Sequence, residues 1–232
     1  MSVAMREFVA RAWPVAMLIV AMCSIQGGAA IAKSLFPVIG ATGTTSIRLI
    51  LAALILLIVM RPWRQPLSRR AWKSTLIYGV ALGIMNLLFY QALQTVPLGI
   101  AVALEFTGPL AVAMLSSRRW LDLLWVAFAV FGLTCLLLLG DDSNGPVDPY
   151  GAACALGAGV CWALYILFGQ KAGSINGAQS ATLGITIAAV VIAPVGLIDV
   201  GPAIFAPEVL PLALAVAVLS TALPYTLEMI AM

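Results

Sequence analysis

The stretch TVPLGIAVALEFTGPLAVAMLSSRR, Thr95–Arg119, decides what kind of protein this is. It holds about twenty apolar residues, enough for a helix to cross the hydrocarbon core of a bilayer. Glu105 sits nearly midway, Gly108 and Pro109 follow it, and Arg118 and Arg119 close the run. An ionised carboxylate at mid-bilayer costs roughly 2.5–3.5 kcal/mol on insertion scales. Such a residue is kept only where protein or water faces it. Two roles are open to Glu105. It is either a structural carboxylate, neutral or hydrogen-bonded to a neighbouring helix, or a group that handles protons or substrate, as intramembrane ionisable residues commonly do.

The rest of the chain has the same character. Of its 232 residues 63% are hydrophobic and 9% charged, with a mean hydropathy of +1.10. Soluble domains carry about a quarter charged residues, so this is an all-α, polytopic membrane protein. The net charge of +3 does not imply a nucleic-acid partner. With no histidine in the sequence, an intramembrane proton carrier must be a carboxylate or, less simply, a tyrosine or lysine. Cys23, Cys135, Cys154 and Cys161 lie in apolar segments without a CxxC pair, and read as small buried hydrophobes. No metal site, cofactor site, nucleophile–base pair or phosphate loop is legible, so the sequence does not read as an enzyme.

Working outward from the opening stretch, apolar periodicity predicts about eight transmembrane helices. The first runs from about Pro14 to Lys33; it is too long, and followed by too many spans, for a signal peptide. The second takes roughly Thr44–Met60, ahead of the basic loop RPWRQPLSRRAWK. The third is about Ser74–Gln94, the fourth is the opening stretch, and the fifth is about Leu121–Leu139. After the acidic, turn-rich GDDSNGPVDP come Tyr150–Phe168, Ala181–Ile198 and an eighth helix starting near Glu208. A cytoplasmic N-terminus puts Arg6, Arg11, Arg61, Arg64, Arg69, Arg70, Lys73, Arg118, Arg119 and Lys171 inside. It leaves only Lys33 and Arg48 toward the outside, where both are expected to snorkel.

The first five helices end at the acidic loop, so a second unit would start from the opposite side. Units with an odd number of spans are inverted, as is common in secondary transporters. A shift of 135 residues lays LLFYQAL on ALPYTLE, with Leu88 on Leu223 and Tyr90 on Tyr225. We therefore expect two units, 1–140 and 150–232. The counterpart of Glu105 would fall near position 240, beyond Met232, so the second unit is expected to be incomplete by about two helices.

The runs SIQGGAAIAKSLFP, TVPLGIAVALEFTGPLAVAMLSSRR, LGAGVCWALYILFGQKAG and LSTALPYTLEMIAM together resemble the EamA-type branch of the drug/metabolite transporter superfamily. Within it they resemble the threonine and homoserine exporters. The resemblance implies ten helices in two inverted five-helix repeats, a bacterial inner-membrane location, and proton-coupled export of small amino acids. Other small metabolites, or a non-transporting membrane subunit, remain alternatives. A chain lacking the last hairpin is expected to export poorly.

A zwitterion exporter needs polar groups near the midplane. Glu105 is placed to pair with an ammonium or take up a proton. Asn86, Tyr90 and Gln91 set hydrogen-bonding groups along the third span; Asn86 and Tyr90 share a face, where core packing is an equal reading. Gln26 falls on Cys161 at the repeat offset, which associates it with Trp162 and Tyr165; these aromatics also suit packing. Gly27, Gly28, Gly108, Pro109 and Pro224 are candidate packing or hinge positions. Glu228, one turn past Pro224, reads as solvated.

Overall fold

The computed structural model describes residues 3–64, 69–116, 120–138 and 147–224. Arg118, Arg119, Asp141, Asp142, Tyr225 and Glu228 lie outside the described residues. The helices are α1 (Val3–Ala32), α2 (Phe36–Met60), α3 (Arg69–Thr95), α4 (Leu98–Glu105), α5 (Thr107–Ser116), α6 (Trp120–Leu138), α7 (Pro149–Val200) and α8 (Leu210–Ala217). A π-helical turn, Val218–Ala222, continues α8.

Five described stretches are long and apolar enough to cross a membrane: Ile19–Met60, Ala71–Thr95, Leu98–Ser116, Pro149–Ala172 and Gln179–Phe205. The shorter Leu210–Ala222 is also apolar. Their outward faces carry large apolar side chains such as Ile58, Val59, Leu115 and Ile198. On a water-soluble protein such faces would be a liability, whereas lipid tails accept them.

Two of the long helical runs, Ile19–Met60 and α7, are not straight. Gly28 packs its backbone against Ser220, and Arg48 hydrogen-bonds the same serine. Twenty residues of straight helix would separate them by about 30 Å. The chain therefore turns back between α1 and α2, through a 3-10 turn at Lys33–Leu35 and a break at Gly40. Gly40 has φ 63 and ψ 175, which a side chain would disfavour.

α7 folds back in the same way. The ring of Tyr78 on α3 lies against both Gly169 and Gly184, and the Ser180 hydroxyl donates to the carbonyl of Ala172 at 3.0 Å. Residues fifteen apart on a straight helix would lie about 22 Å from each other. The two arms of α7 correspond to the two spans expected there, and α3 packs against both. At the start of α7, Asp148 caps the helix by accepting from Gly151 N–H at 2.9 Å. The Thr95 hydroxyl, and then that N–H, hold the Asp148 carboxyl below the usual carboxylate range.

The buried apolar residues form two cores. One gathers Ile39, Ile47, Tyr90, Leu93, Val96, Ala155 and Val216; the other Leu49, Leu56, Leu82, Ile185, Ile192 and Ala217. Ile47 and Leu49, two residues apart on α2, belong to different cores. Arg48 stands between them.

Candidate functional site

The site begins with the run TGTTSIR at 42–48. Hydroxyls buried in lipid must find partners inside the protein. Thr44, Thr45 and Ser46 donate to the carbonyls of Gly40, Ala41 and Thr42 at 2.7, 2.8 and 2.9 Å. Ser46 also reaches the Ile192 carbonyl on α7 at 3.1 Å. This back-bonding seals the first turns of α2 and frees Arg48, on the next turn, to point inward.

Arg48 is 4% exposed. Its Nη1 donates to the hydroxyls of Ser220 and Thr221, each at 3.1 Å. Its Nη2 donates to Oδ1 of Asn86, whose own amide donates to the Leu82 carbonyl at 2.7 Å. The guanidinium carbon lies 4.8 Å from the centroid of the Tyr90 ring, a cation–π contact. These partners are all neutral, so they orient the charge without cancelling it. Two buried polar atoms of the cluster have no hydrogen-bond partner among the described residues: Nε of Arg48 and the Tyr90 hydroxyl oxygen.

Ser220 and Thr221 reach Arg48 because the helix widens there. Pro224 has no N–H to give the Ser220 carbonyl four residues back. The preceding residue, Leu223, bonds the Val218 carbonyl instead, an i to i−5 bond. Such π turns are frequent at functional sites. The Ser220 hydroxyl also donates to the Val216 carbonyl at 2.7 Å.

Glu105 approaches from another element. Its residue is 7% exposed, and the Arg48 guanidinium acts on its carboxylate through space. The span expected as one helix here is broken into α4 and α5 at Phe106. Pro109 is the cause: it cannot donate to the Glu105 carbonyl. That carbonyl instead faces Gly159 of α7, and the same junction brings Gly108 against the Gly159 backbone so closely that a Cβ would lie 1.8 Å from its carbonyl oxygen.

The expectation that Arg48 snorkels at the outer surface is therefore corrected. The helical path of α2 starts before Thr44, so Arg48 lies roughly 12 Å past the Gly40 break rather than one turn from the membrane edge. Lys33 is half-buried in the 3-10 turn between α1 and α2.

A buried cation between two apolar cores, and a buried carboxylate at a broken helix, characterise a membrane carrier. Comparison with known proteins gives its kind. The threonine/homoserine exporter RhtA of Escherichia coli is 57% identical over 219 residues, covering 94% of this chain and 74% of that protein. The protein of the same name from Salmonella typhimurium is 56% identical over the same shares. The chain belongs to the threonine/homoserine exporter family. No family model matches the sequence, and no solved structure matches it.

For this member of the exporter family, the residues singled out from sequence divide into groups. Asn86, Tyr90 and Glu105 converge with Arg48. Gln91 serves the frame: its amide donates to Thr42 at 2.8 Å and accepts from Gln94 at 2.6 Å. Trp162 meets Phe106 edge-on at 4.9 Å, bracing the α4–α5 break, and Tyr165 stacks on Tyr78 at 4.8 Å. Gln26 is half-buried on α1, near Ser24, whose hydroxyl donates to the Leu219 carbonyl at 2.5 Å. Gly28 touches Ser220 closely, whereas a Cβ on Gly27 would meet nothing within 4 Å, so Gly27 makes no close helix contact among the described residues. Arg48, Ser220 and Thr221 were not singled out as candidate ligands by sequence reasoning. The rule applied to Glu105, that an ionisable residue within an apolar span is functional until shown otherwise, would have found Arg48.

Proposed function

We propose that the protein is a secondary transporter that exports threonine, homoserine and similar small amino acids across the bacterial inner membrane, coupled to protons. The observation that carries this reading is the polar layer between the two cores, where Arg48 and Glu105 offer opposite charges to a zwitterion. Glu105 takes the ammonium or a proton; Asn86 and Tyr90 complete the lining. The names of the relatives supply the substrate class.

The wider architecture we propose is about eight spans in two inverted units, 1–140 and 150–232, with the N-terminus in the cytoplasm. The corrected position of Arg48 favours this orientation, since only Lys33 is then left as a basic residue on the outer side. The folding back of Ile19–Met60 provides one crossing beyond the five stretches, and α6 and Leu210–Ala222 would provide the other two. The test is export of labelled threonine and homoserine from cells or vesicles expressing the protein, with and without a proton gradient. Flux above background, smaller than that of the Escherichia coli relative and collapsing with the gradient, is expected. Flux indifferent to it would remove the coupling, and no flux of either amino acid would remove the substrate assignment.

A further inference from the structure

The guanidinium of Arg48 is hydrogen-bonded at its two terminal nitrogens and unpartnered, among the described residues, at the third. Both Nη atoms are committed to Ser220, Thr221 and Asn86, leaving Nε as its one nitrogen without a partner among the described residues. The Tyr90 hydroxyl is also buried and without a partner among the described residues, and its ring lies under the same guanidinium at 4.8 Å. Arg48 is 4% exposed and Tyr90 1%.

An arginine cannot shed its proton in a protein. A cage of hydroxyl and amide oxygens fixes its position while keeping its charge, unlike a structural ion pair, which spends that charge on a fixed carboxylate. The buried carboxylate of Glu105 acts on Arg48 through space and is not among its hydrogen-bond partners. Two free donors beside an uncancelled cation select an anion with two acceptor oxygens.

We propose that Nε of Arg48 and the hydroxyl of Tyr90 together receive the α-carboxylate of the transported amino acid. This rests on the export reading above and assigns one end of its substrate. The ammonium is thereby directed away from Arg48, toward Glu105. Thr221 and Ser220, on the π turn, set the height of the receptor, so the carboxylate site depends on a segment 172 residues away in sequence.

The test uses the 232-residue chain in lipid nanodiscs, with binding of L-threonine, L-homoserine and L-threoninol measured by calorimetry. L-threoninol replaces the carboxylate by a hydroxymethyl group. The variant is Tyr90→Phe, which keeps the ring and its cation–π contact. Wild type is expected to bind threoninol about tenfold or more weakly than threonine, the loss of hydrogen bonds to a charged group. Tyr90→Phe should weaken threonine about tenfold and leave threoninol unchanged, because the hydroxyl addresses the carboxylate alone. Equal weakening of both ligands, or no change for threonine, would overturn the proposal. Wild type that binds threonine and threoninol alike would overturn it while leaving the export reading intact. Binding of other carboxylate-bearing amino acids, but not of threonine or homoserine, would reverse that outcome: the carboxylate receptor would stand and the substrate assignment would fall. Absence of binding by any amino acid would overturn both. Arg48→Lys is a second check, since an ammonium keeps the charge but loses the Nε donor; undiminished threonine affinity in a folded Arg48→Lys protein would also overturn the proposal.

Discussion

Arg48 on α2 and Asn86 on α3 are joined by a guanidinium-to-amide hydrogen bond, inside a layer that separates the two apolar cores. The pair connects the helix that carries the cation to the helix that carries Tyr90. It also yields a prediction that separates charge from fold. Asn86→Leu removes an acceptor from a buried cation, at about 1–3 kcal/mol, and should lower the thermal midpoint of the purified protein. Asn86→Asp restores an acceptor and should fold, yet lose threonine binding, because the new carboxylate competes for Arg48. Wild-type binding by a folded Asn86→Asp protein would show that the charge of Arg48 is not needed free.

Glu105→Gln keeps size and hydrogen bonding but removes the charge and the exchangeable acid proton. The variant should insert and accumulate normally while losing export or its dependence on pH. A purely structural Glu105 gives another pattern: Gln serves nearly as well, and Glu105→Leu lowers abundance through a lost interhelical hydrogen bond. Such a bond is worth about 0.6 kcal/mol on average and up to roughly 2. Export rates across a pH series, normalised to protein amount, decide between them.

The two glycines at 27 and 108 should respond oppositely to alanine. At Gly108 the new Cβ would sit 1.8 Å from the carbonyl oxygen of Gly159, with backbone on both sides. The α4–α5 junction would have to move off α7, costing about 1–3 kcal/mol. At Gly27 a Cβ meets nothing within 4 Å, and alanine gains up to about 1 kcal/mol of helix propensity. Melting curves of the two variants in detergent should therefore shift in opposite directions; a neutral Gly108→Ala would contradict the described junction.

Reporter fusions after Arg70 and after Asn144 test the orientation. The first should report cytoplasm and the second periplasm, because basic residues concentrate on one side of the chain. The reverse pattern would overturn the proposed arrangement of both units.

Much of this arrangement could be read before any coordinates. Apolar run lengths located the five stretches long enough to cross, including both arms of α7, since crossing a bilayer demands about twenty residues whatever the neighbours. Glu105, Asn86 and Tyr90 were legible because a polar group in an apolar run needs an internal reason. Arg48 was misplaced for a specific cause: the hydroxyl-rich TGTTS ahead of it reads as a membrane edge. In the fold those hydroxyls are satisfied by carbonyls one turn back, so the edge lies further upstream. The break at Phe106 and the π turn at Val218–Ala222 are both set by a proline three or two residues later. The sequence marks the prolines but not which carbonyl each one frees, or what then turns toward it.

The polar cage of Arg48 also has a timetable. The Asn86 acceptor is synthesised 38 residues after the arginine, but Ser220 and Thr221 follow only after 172 and 173. At translation rates of about 5–20 residues per second, the cation waits roughly ten to thirty-five seconds for its hydroxyls. During that interval α2 and α3 hold a charge that is only half housed. Biogenesis of this protein is thus exposed to the order of synthesis in a way its finished bundle conceals, and α2 cannot settle in its final seat until the end of the described chain has arrived.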